Sequence, residues 1–434
     1  MVVLRNWQQK IIDDFPTIVK QHRRFILKAP TGAGKTILAS EIVEQFYKGK
    51  KILVLCHRLV LLEQLQKALS ARHSVHKLSV SDDGRAFDGY DILLSTNMRA
   101  KNVLEEAIKM ADLIIVDEAH RVSPNGTGYK KIIDDFENGG KAGAQFMGLT
   151  ASPERRTGDQ RDQLSLAFDA IIDCANIETL IEEGILVPPI YRPHFIHDLD
   201  LSSIDISSGD FPVSKLAPAI VKSSMIDYAT FIYIEERQNV PSKPISAWFC
   251  PDITVAEATL EKIRENGIQA EIVTASTPIV ERMQLLEAHE TGKIEAMVSV
   301  GVLAEGWDNP NCNLIVHLRP TLSKVVWGQT VGRGLRSAKS KDRCIVIDVS
   351  SNWSTFGPVE KLEWSLWNHR RSYVRYKNRF NWIGEQLEQG VNEKAYFLCE
   401  NKLSNGLRCS HIYNKNQYSD DGCPACGSIT AIDI

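Results

Sequence analysis

Lys35 and Thr36 end a stretch of small residues, APTGAGKT at 29–36, set between the apolar runs Phe25-Ile26-Leu27 and Ile37-Leu38-Ala39. Small residues let backbone N–H groups approach phosphate oxygens, a lysine reaches the β- and γ-phosphates, and a hydroxyl can ligate magnesium. Thr31, Gly32, Ala33, Gly34, Lys35 and Thr36 supply those parts; Ala29 stands where the general pattern has its first glycine, and Gly32 restores freedom inside the turn. A second group, Asp117-Glu118-Ala119-His120, follows the apolar run 113–116. A carboxylate at a strand end beside a phosphate loop can hold magnesium together with Thr36, the role expected of Asp117. Glu118 can then orient or deprotonate the attacking water. Taken singly, these groups could be a glycine turn and a pair of solvated acids; taken together they point to nucleoside triphosphate hydrolysis.

Such residues need a scaffold that brings them to one edge. From Arg24 to Thr150 short apolar runs (25–27, 52–56, 92–95, 113–117, 146–150) alternate with longer amphipathic stretches, which predicts a parallel sheet covered by helices on both faces. Ligands bind such sheets beyond the carboxyl ends of the strands, where both groups fall. A second alternating block, with strands expected at 245–250, 270–273, 296–300, 314–317 and 344–348, has no phosphate loop. The chain has 434 residues, 43% hydrophobic and 24% charged, which suits two or three globular domains. No apolar run nears the roughly 18 residues of a membrane span, and no signal-peptide pattern opens the chain, so a cytoplasmic, non-membrane protein is expected. The formal net charge of −3 excludes an overall basic field, so any nucleic-acid contact must be local.

In order and spacing, these motifs resemble motifs I and II of the superfamily-two DEAH-type helicases and translocases, and the resemblance runs over roughly residues 4–350. It implies an α/β fold of two tandem RecA-like domains, the first at 1–175 and the second at 245–350, joined by a linker and surface excursion at 176–244. Leu4-Arg5-Asn6-Trp7-Gln8 is similar to the adenine-recognising entry segment, implying that Gln8, helped by Arg5, reads the base. Leu149-Thr150-Ala151-Ser152-Pro153 is similar to motif III, which couples the ATP site to domain movement. Residues 304–310 (AEGWDNP) resemble motif V, implying Gly306 and Asp308 near the nucleotide. Residues 329–336 (QTVGRGLR) resemble motif VI, implying Gln329, Arg333 and Arg336 at the γ-phosphate. A guanidinium there can be worth about 10³–10⁵ in rate, and arginines three apart share a helix face.

The resemblance also implies a nucleic-acid track, contacted through phosphates by Arg58, Thr96, Arg99, Thr274, Ser276 and Ser299. Beyond the second domain, 351–395 reads as a basic, aromatic helical region. Within it, residues 364–379 are expected to be helical, with Trp364 and Trp367 on one side flanked by Arg371 and Arg375, suited to stacking bases and gripping phosphate or to docking the helix on the motor. Of nine cysteines, five are scattered as small hydrophobes, while Cys399, Cys409, Cys423 and Cys426 form a four-thiolate set expected to bind Zn²⁺ in a tail at 396–434. His411 is an alternative ligand to Cys409. ATP, Mg²⁺ and Zn²⁺ are thus the expected cofactors, DNA the expected partner, a protein partner at the zinc tail a further one, and a monomer the expected state. The compact motor resembles phage and bacterial branch-migration and repair helicases, which implies work on forked or branched DNA. An RNA helicase and an ATP-switched nucleic-acid adaptor are the rival readings.

Overall fold

The computed structural model describes residues 3–56, 66, 69–70, 73–78, 86–96, 101–155, 163–201, 204, 210–304 and 307–366, and the strand backbones at 396–399, 412–414 and 431–433. The chain divides into one unit made of Met1–Glu183 with Glu363–Asn368, and a second that begins at Gly184 and runs through Leu362.

In the first unit seven strands form one parallel sheet: β1 (Arg24–Lys28), β2 (Ile52–Cys56), β3 (Val75–Lys77), β4 (Ile92–Thr96), β5 (Leu113–Asp117), β6 (Gln145–Thr150) and β7 (Ala170–Asp173), in the order 3-4-2-5-6-1-7. Every residue of β2 and β4 is buried, as expected of strands covered on both faces. Among the described residues its α-helices are α1 (Asn6–Gln21), α2 (Lys35–Phe46), α3 (Lys101–Met110), α4 (Thr127–Gly139) and α5 (Ile177–Glu182). One core layer stacks Phe136, Phe146 and Phe168, with ring centroids 5.3 and 5.4 Å apart. The short edge strands β3 and β7 go beyond the expected five, because neither carries an apolar run long enough to announce itself.

The second unit holds a six-stranded parallel sheet of β8 (Pro189–Pro193), β9 (Ser246–Phe249), β10 (Ala270–Val273), β11 (Ala296–Ser299), β12 (Leu314–His317) and β13 (Cys344–Asp348), ordered 10-11-9-12-13-8. Its helices are α6 (Val213–Lys222), α7 (Met225–Glu236), α8 (Ile253–Glu265), α9 (Ile279–Glu290), α10 (Lys324–Arg333) and α11 (Asn352–Phe356). The stretch expected as linker, 176–244, therefore supplies an edge strand and two core helices. α7 is apolar on nearly every side and must be enclosed; its Met225, Ala229 and Tyr233 pack with Trp248 in the core. β8 carries prolines at both ends, which an edge strand tolerates.

After α11 the chain is tied to the second unit: the Trp327 indole donates to Gly357 O at 3.0 Å, and Tyr191 Oη accepts from Val359 N at 2.8 Å. It then returns to the first unit, where Leu366 is buried in that core and Ser165 N donates to Leu366 O at 3.2 Å. The helix expected from Trp364 does not begin there, since residues 362–366 have no helical structure. The continuation through Trp367, Arg371 and Arg375 lies outside the described residues. Three short antiparallel strands follow, β14 (Tyr396–Cys399) lying between β15 (Ile412–Asn414) and β16 (Ala431–Asp433). Among the described residues no helix is long and apolar enough to cross a membrane.

Candidate ATP-hydrolysis site

The phosphate loop leaves β1 with Ala29 N still bonded to Thr150 O of β6 at 3.2 Å, so the sheet itself anchors the turn. Gly32 and Gly34 have φ of 79° and 101°, left-handed conformations that side chains rarely adopt. A Cβ on Gly34 would also lie 2.9 Å from Gln8 Nε2. α2 starts at Lys35, and its first turn presents backbone N–H groups without intrahelical partners, with the positive end of the helix dipole behind them. Lys35 Nζ donates to the carbonyls of Ala29 (3.0 Å) and Pro30 (3.1 Å), arching over the loop that a triphosphate would fill. Thr36 is exposed and Thr31 half-buried, while the Ala33 side chain is fully buried.

The entry segment clamps this loop. Gln8, 1% exposed, donates Nε2–H to Gly34 O at 3.0 Å, and its Oε1 accepts from Arg5 N at 2.9 Å. Arg5 Nη1 donates to Ala33 O at 2.6 Å. One amide hydrogen and one lone pair of Gln8 are thus used on the protein, leaving one of each for an adenine edge.

Asp117 ends β5, and its Oδ1 accepts from Glu118 N at 3.0 Å. Burial first, then the neighbouring Glu118 charge, push the Asp117 carboxyl up from its ordinary value, with Lys35 opposing. A carboxylate so placed gains from a cation. Thr36 and Asp117 fit a magnesium ion on this ground: one is an exposed hydroxyl on the first turn of α2, the other an acid under charge strain. Glu118 adopts φ 51° and ψ 52°, a left-handed backbone in a non-glycine residue. The following turn packs so closely on β6 that a Cβ at Gly148 would come within 2.7 Å of the Ala119 methyl. His120, buried, has Nδ1 3.3 Å from Glu118 Oε2 and 3.0 Å from Thr150 Oγ1. Thr150 Oγ1 also accepts from Ser152 N at 3.1 Å. His120 therefore links Glu118 to the Thr150–Ser152 segment, a connection that sequence reading did not assign to side chains.

In the second unit α10 ends at Arg333, and Arg336 lies three residues beyond it in a bridge with Leu186, so the two arginines do not share the helix face expected of them, yet both reach the 304–310 loop. Arg333 Nε donates to Ala304 O (3.0 Å) and its Nη1 to Trp307 O (2.8 Å). Arg336 Nη1 donates to the same Trp307 carbonyl at 3.1 Å and pairs with the Asp308 carboxylate. Gln329 is buried in α10, and Gly306 lies outside the described residues. Gly334 allows the helix end to sit on the sheet, for a Cβ there would be 2.4 Å from Cys344 Sγ and 2.7 Å from Ile315 Cγ1.

The Trp307 carbonyl that receives both arginines is itself held from behind. Trp307 stacks on His289, centroids 5.8 Å apart, and Asn309 Nδ2 lies 3.2 Å from His289 Nδ1. His289 Nε2 lies 3.0 Å from Ser246 O, so the imidazole donates there and accepts from Asn309. Burial drives its pKa down to about 4, keeping that neutral tautomer at physiological pH. No motif in the sequence marks His289.

The nucleic-acid candidates divide. Thr96 is buried at the end of β4, while Arg58 and Arg99 lie outside the described residues. Thr274 Oγ1 and Ser276 Oγ are 2.8 Å apart in a loop whose carbonyls at 274, 275 and 277 all accept from Arg282 Nη2. Ser299 is fully buried, and its hydroxyl accepts from Leu303 N at 3.1 Å, so the contact expected there with a phosphate is replaced by an internal one that shapes the start of the next loop. Trp364 is half-buried. Cys399, Cys409, Cys423 and Cys426 have side chains outside the described residues; among the described ones no cluster of His, Cys, Asp and Glu could hold a metal.

Comparison with known proteins agrees with this geometry. Residues 1–155 match the family described as type III restriction enzyme, res subunit, and residues 235–338 match the helicase conserved C-terminal domain. IRC3 of Saccharomyces cerevisiae, by its name an ATP-dependent helicase, is 28% identical over 359 residues, covering 80% of this chain and 51% of that protein. The chain thus spans about half the length of that relative. A fragment of an HsdR subunit of a type I restriction enzyme from Vibrio vulnificus shares the fold, with a TM-score of 0.62 and 19% identity over 82% of this chain and 66% of that one. So does the type ISP restriction-modification enzyme LlaBIII bound to DNA, with a TM-score of 0.58 and 17% identity over 89% and 31%. Two parallel sheets, with a lysine and paired acids on the first and paired arginines on the second, accompany these matches, so the chain is similar to ATP-dependent helicases in both of its units.

Proposed function

We propose that this protein hydrolyses ATP to move along DNA and to remodel forked or branched DNA. The observation that carries the reading is the arrangement of charged side chains within each unit. On the first sheet Lys35 follows the carboxyl end of β1 and Asp117 and Glu118 that of β5, the two strands that flank β6; on the second, Arg333 and Arg336 share the Trp307 carbonyl. Lys35 binds β- and γ-phosphate oxygens in exchange for the carbonyls of Ala29 and Pro30. Thr36 and Asp117 would hold Mg²⁺, which would neutralise phosphate charge. Glu118 orients the attacking water and takes its proton, and Arg333 and Arg336 stabilise the charge gathered on the γ-oxygens. Through His120, the protonation and position of Glu118 are felt at Thr150 and Ser152.

DNA is the favoured track because LlaBIII, which shares the fold, was solved bound to DNA. The loop around Thr274 and Ser276, with Arg58 and Arg99, supplies phosphate contacts, and a motor that grips phosphate is indifferent to sequence. We assign zinc to Cys399, Cys409, Cys423 and Cys426 from their thiolate chemistry and spacing; about one zinc per chain in the purified protein is expected, and a metal-free protein of unchanged stability would remove the assignment. The deciding experiment compares ATP-dependent unwinding of forks, four-way junctions, linear duplexes and RNA duplexes. Preference for forks or junctions is expected; equal or greater activity on RNA would overturn the choice of DNA.

A further inference from the structure

One buried cation near the arginines has no part in the scheme above. Lys341 is 6% exposed and lies in the turn between α10 and β13. Its Nζ donates to Arg336 O at 2.8 Å and to Pro310 O at 3.1 Å. These two carbonyls end the two loops that matter: Pro310 closes the segment bearing Trp307 and Asp308, and Arg336 closes the segment bearing both arginines. The turn is fixed independently, since Lys341 N donates to Ala338 O at 3.1 Å and Arg336 pairs in a single bridge with Leu186.

An ammonium in this position is costly. Burial lowers its pKa and the nearby Arg336 charge lowers it further, against the opposing effect of the Cys344 and Cys312 thiols. Among the described residues no carboxylate lies within ion-pair distance of it. A methionine would fill the same space without desolvating a charge, so packing alone gives no reason for a lysine. What the ammonium does, and an apolar chain cannot, is hold two carbonyls from separate loops at a fixed spacing. That spacing sets whether the Arg336 guanidinium still meets the Trp307 carbonyl and the Asp308 carboxylate.

We propose that Lys341 is a positioning residue for Arg336, acting by bridging the carbonyls of Pro310 and Arg336. The inference rests on the assignment of Arg336 to the triphosphate, and the test separates the two. Lys341→Met, Arg336→Ala and the double variant of the full chain are compared for DNA-stimulated ATPase kcat, KM for ATP and melting temperature. Lys341→Met should lower kcat about tenfold or more with KM changed less than about threefold, and should cost less than about twofold further in the Arg336→Ala background. Lys341→Gln, which retains donors without charge, should recover part of the loss and serves in place of the Met variant should that one unfold. The inference is overturned by unchanged kcat in Lys341→Met, by an equal fold-loss in both backgrounds, or by failure of both the Met and Gln variants to fold. Normal turnover in Arg336→Ala would overturn the underlying assignment of Arg336, and the role of Lys341 with it.

Discussion

The roles proposed for Lys35 and Glu118 can be told apart by substitution. If the Lys35 ammonium stabilises phosphate charge, Lys35→Ala should lower kcat/KM about a hundredfold or more, with ATP binding weakened in equilibrium titration. If Glu118 acts on water, Glu118→Gln should bind ATP as tightly as the parent while turnover collapses; a Gln variant that hydrolyses normally would remove the proposed role. At this scale the sequence was informative wherever a function is built from neighbours along the chain. The glycine-rich loop and the Asp117–Glu118 pair are local, so the roles proposed for them can be read from eight residues and two. His289, Asn309 and Lys341 were not legible, because each acts on groups brought near only by strand order. Ser299 misled for the opposite reason: a hydroxyl at a strand end can serve the backbone of its own loop as well as a phosphate.

Elements position these residues through close packing at Gly34, Gly148 and Gly334. On α10 and its C-terminal turn, Gly334→Ala would drive a methyl into Cys344 and Ile315, side chains locked in the core, and should destabilise the protein by about 1–3 kcal/mol in urea unfolding while lowering turnover through displaced Arg336. The second sheet also carries an acid sensitivity. His289 and His317 are buried and neutral, with pKa values driven down to about 4 and about 3, whereas both titrate near 6.5 when unfolded. Between about pH 6.5 and pH 4 the unfolded chain takes up protons that the folded one refuses, so stability is lost as pH falls, by roughly 3 kcal/mol for His289 at the lower limit. Urea midpoints measured from pH 7 to pH 4.5 should drop, and His289→Gln should flatten the slope. The parallel strands of both sheets were legible as apolar runs. β8 and α7 were not assigned to the second domain because the Pro- and Ser-rich residues around them resemble a connection, and only the enclosed faces of α7 reveal otherwise.

At the scale of the whole molecule, the order of two alternating blocks was readable from sequence, since strand–helix periodicity repeats on either side of a break. The route of the chain was not, because it depends on a single apolar side chain, Leu366, finding a pocket some two hundred residues upstream of it. Its burial is worth about 2 kcal/mol, so Leu366→Ala should lower the melting temperature through the first unit, with Phe136, Phe146 and Phe168 in the affected core. A variant as stable as the parent would show that the return segment carries no weight.

That return makes the second unit an insertion within the sequence of the first. During synthesis Leu366, which packs into the core of the first unit, emerges only after residues 184–362 of the second. A truncation after β13, which looks like a clean cut between domains, would instead deprive the opposite one of its stopper.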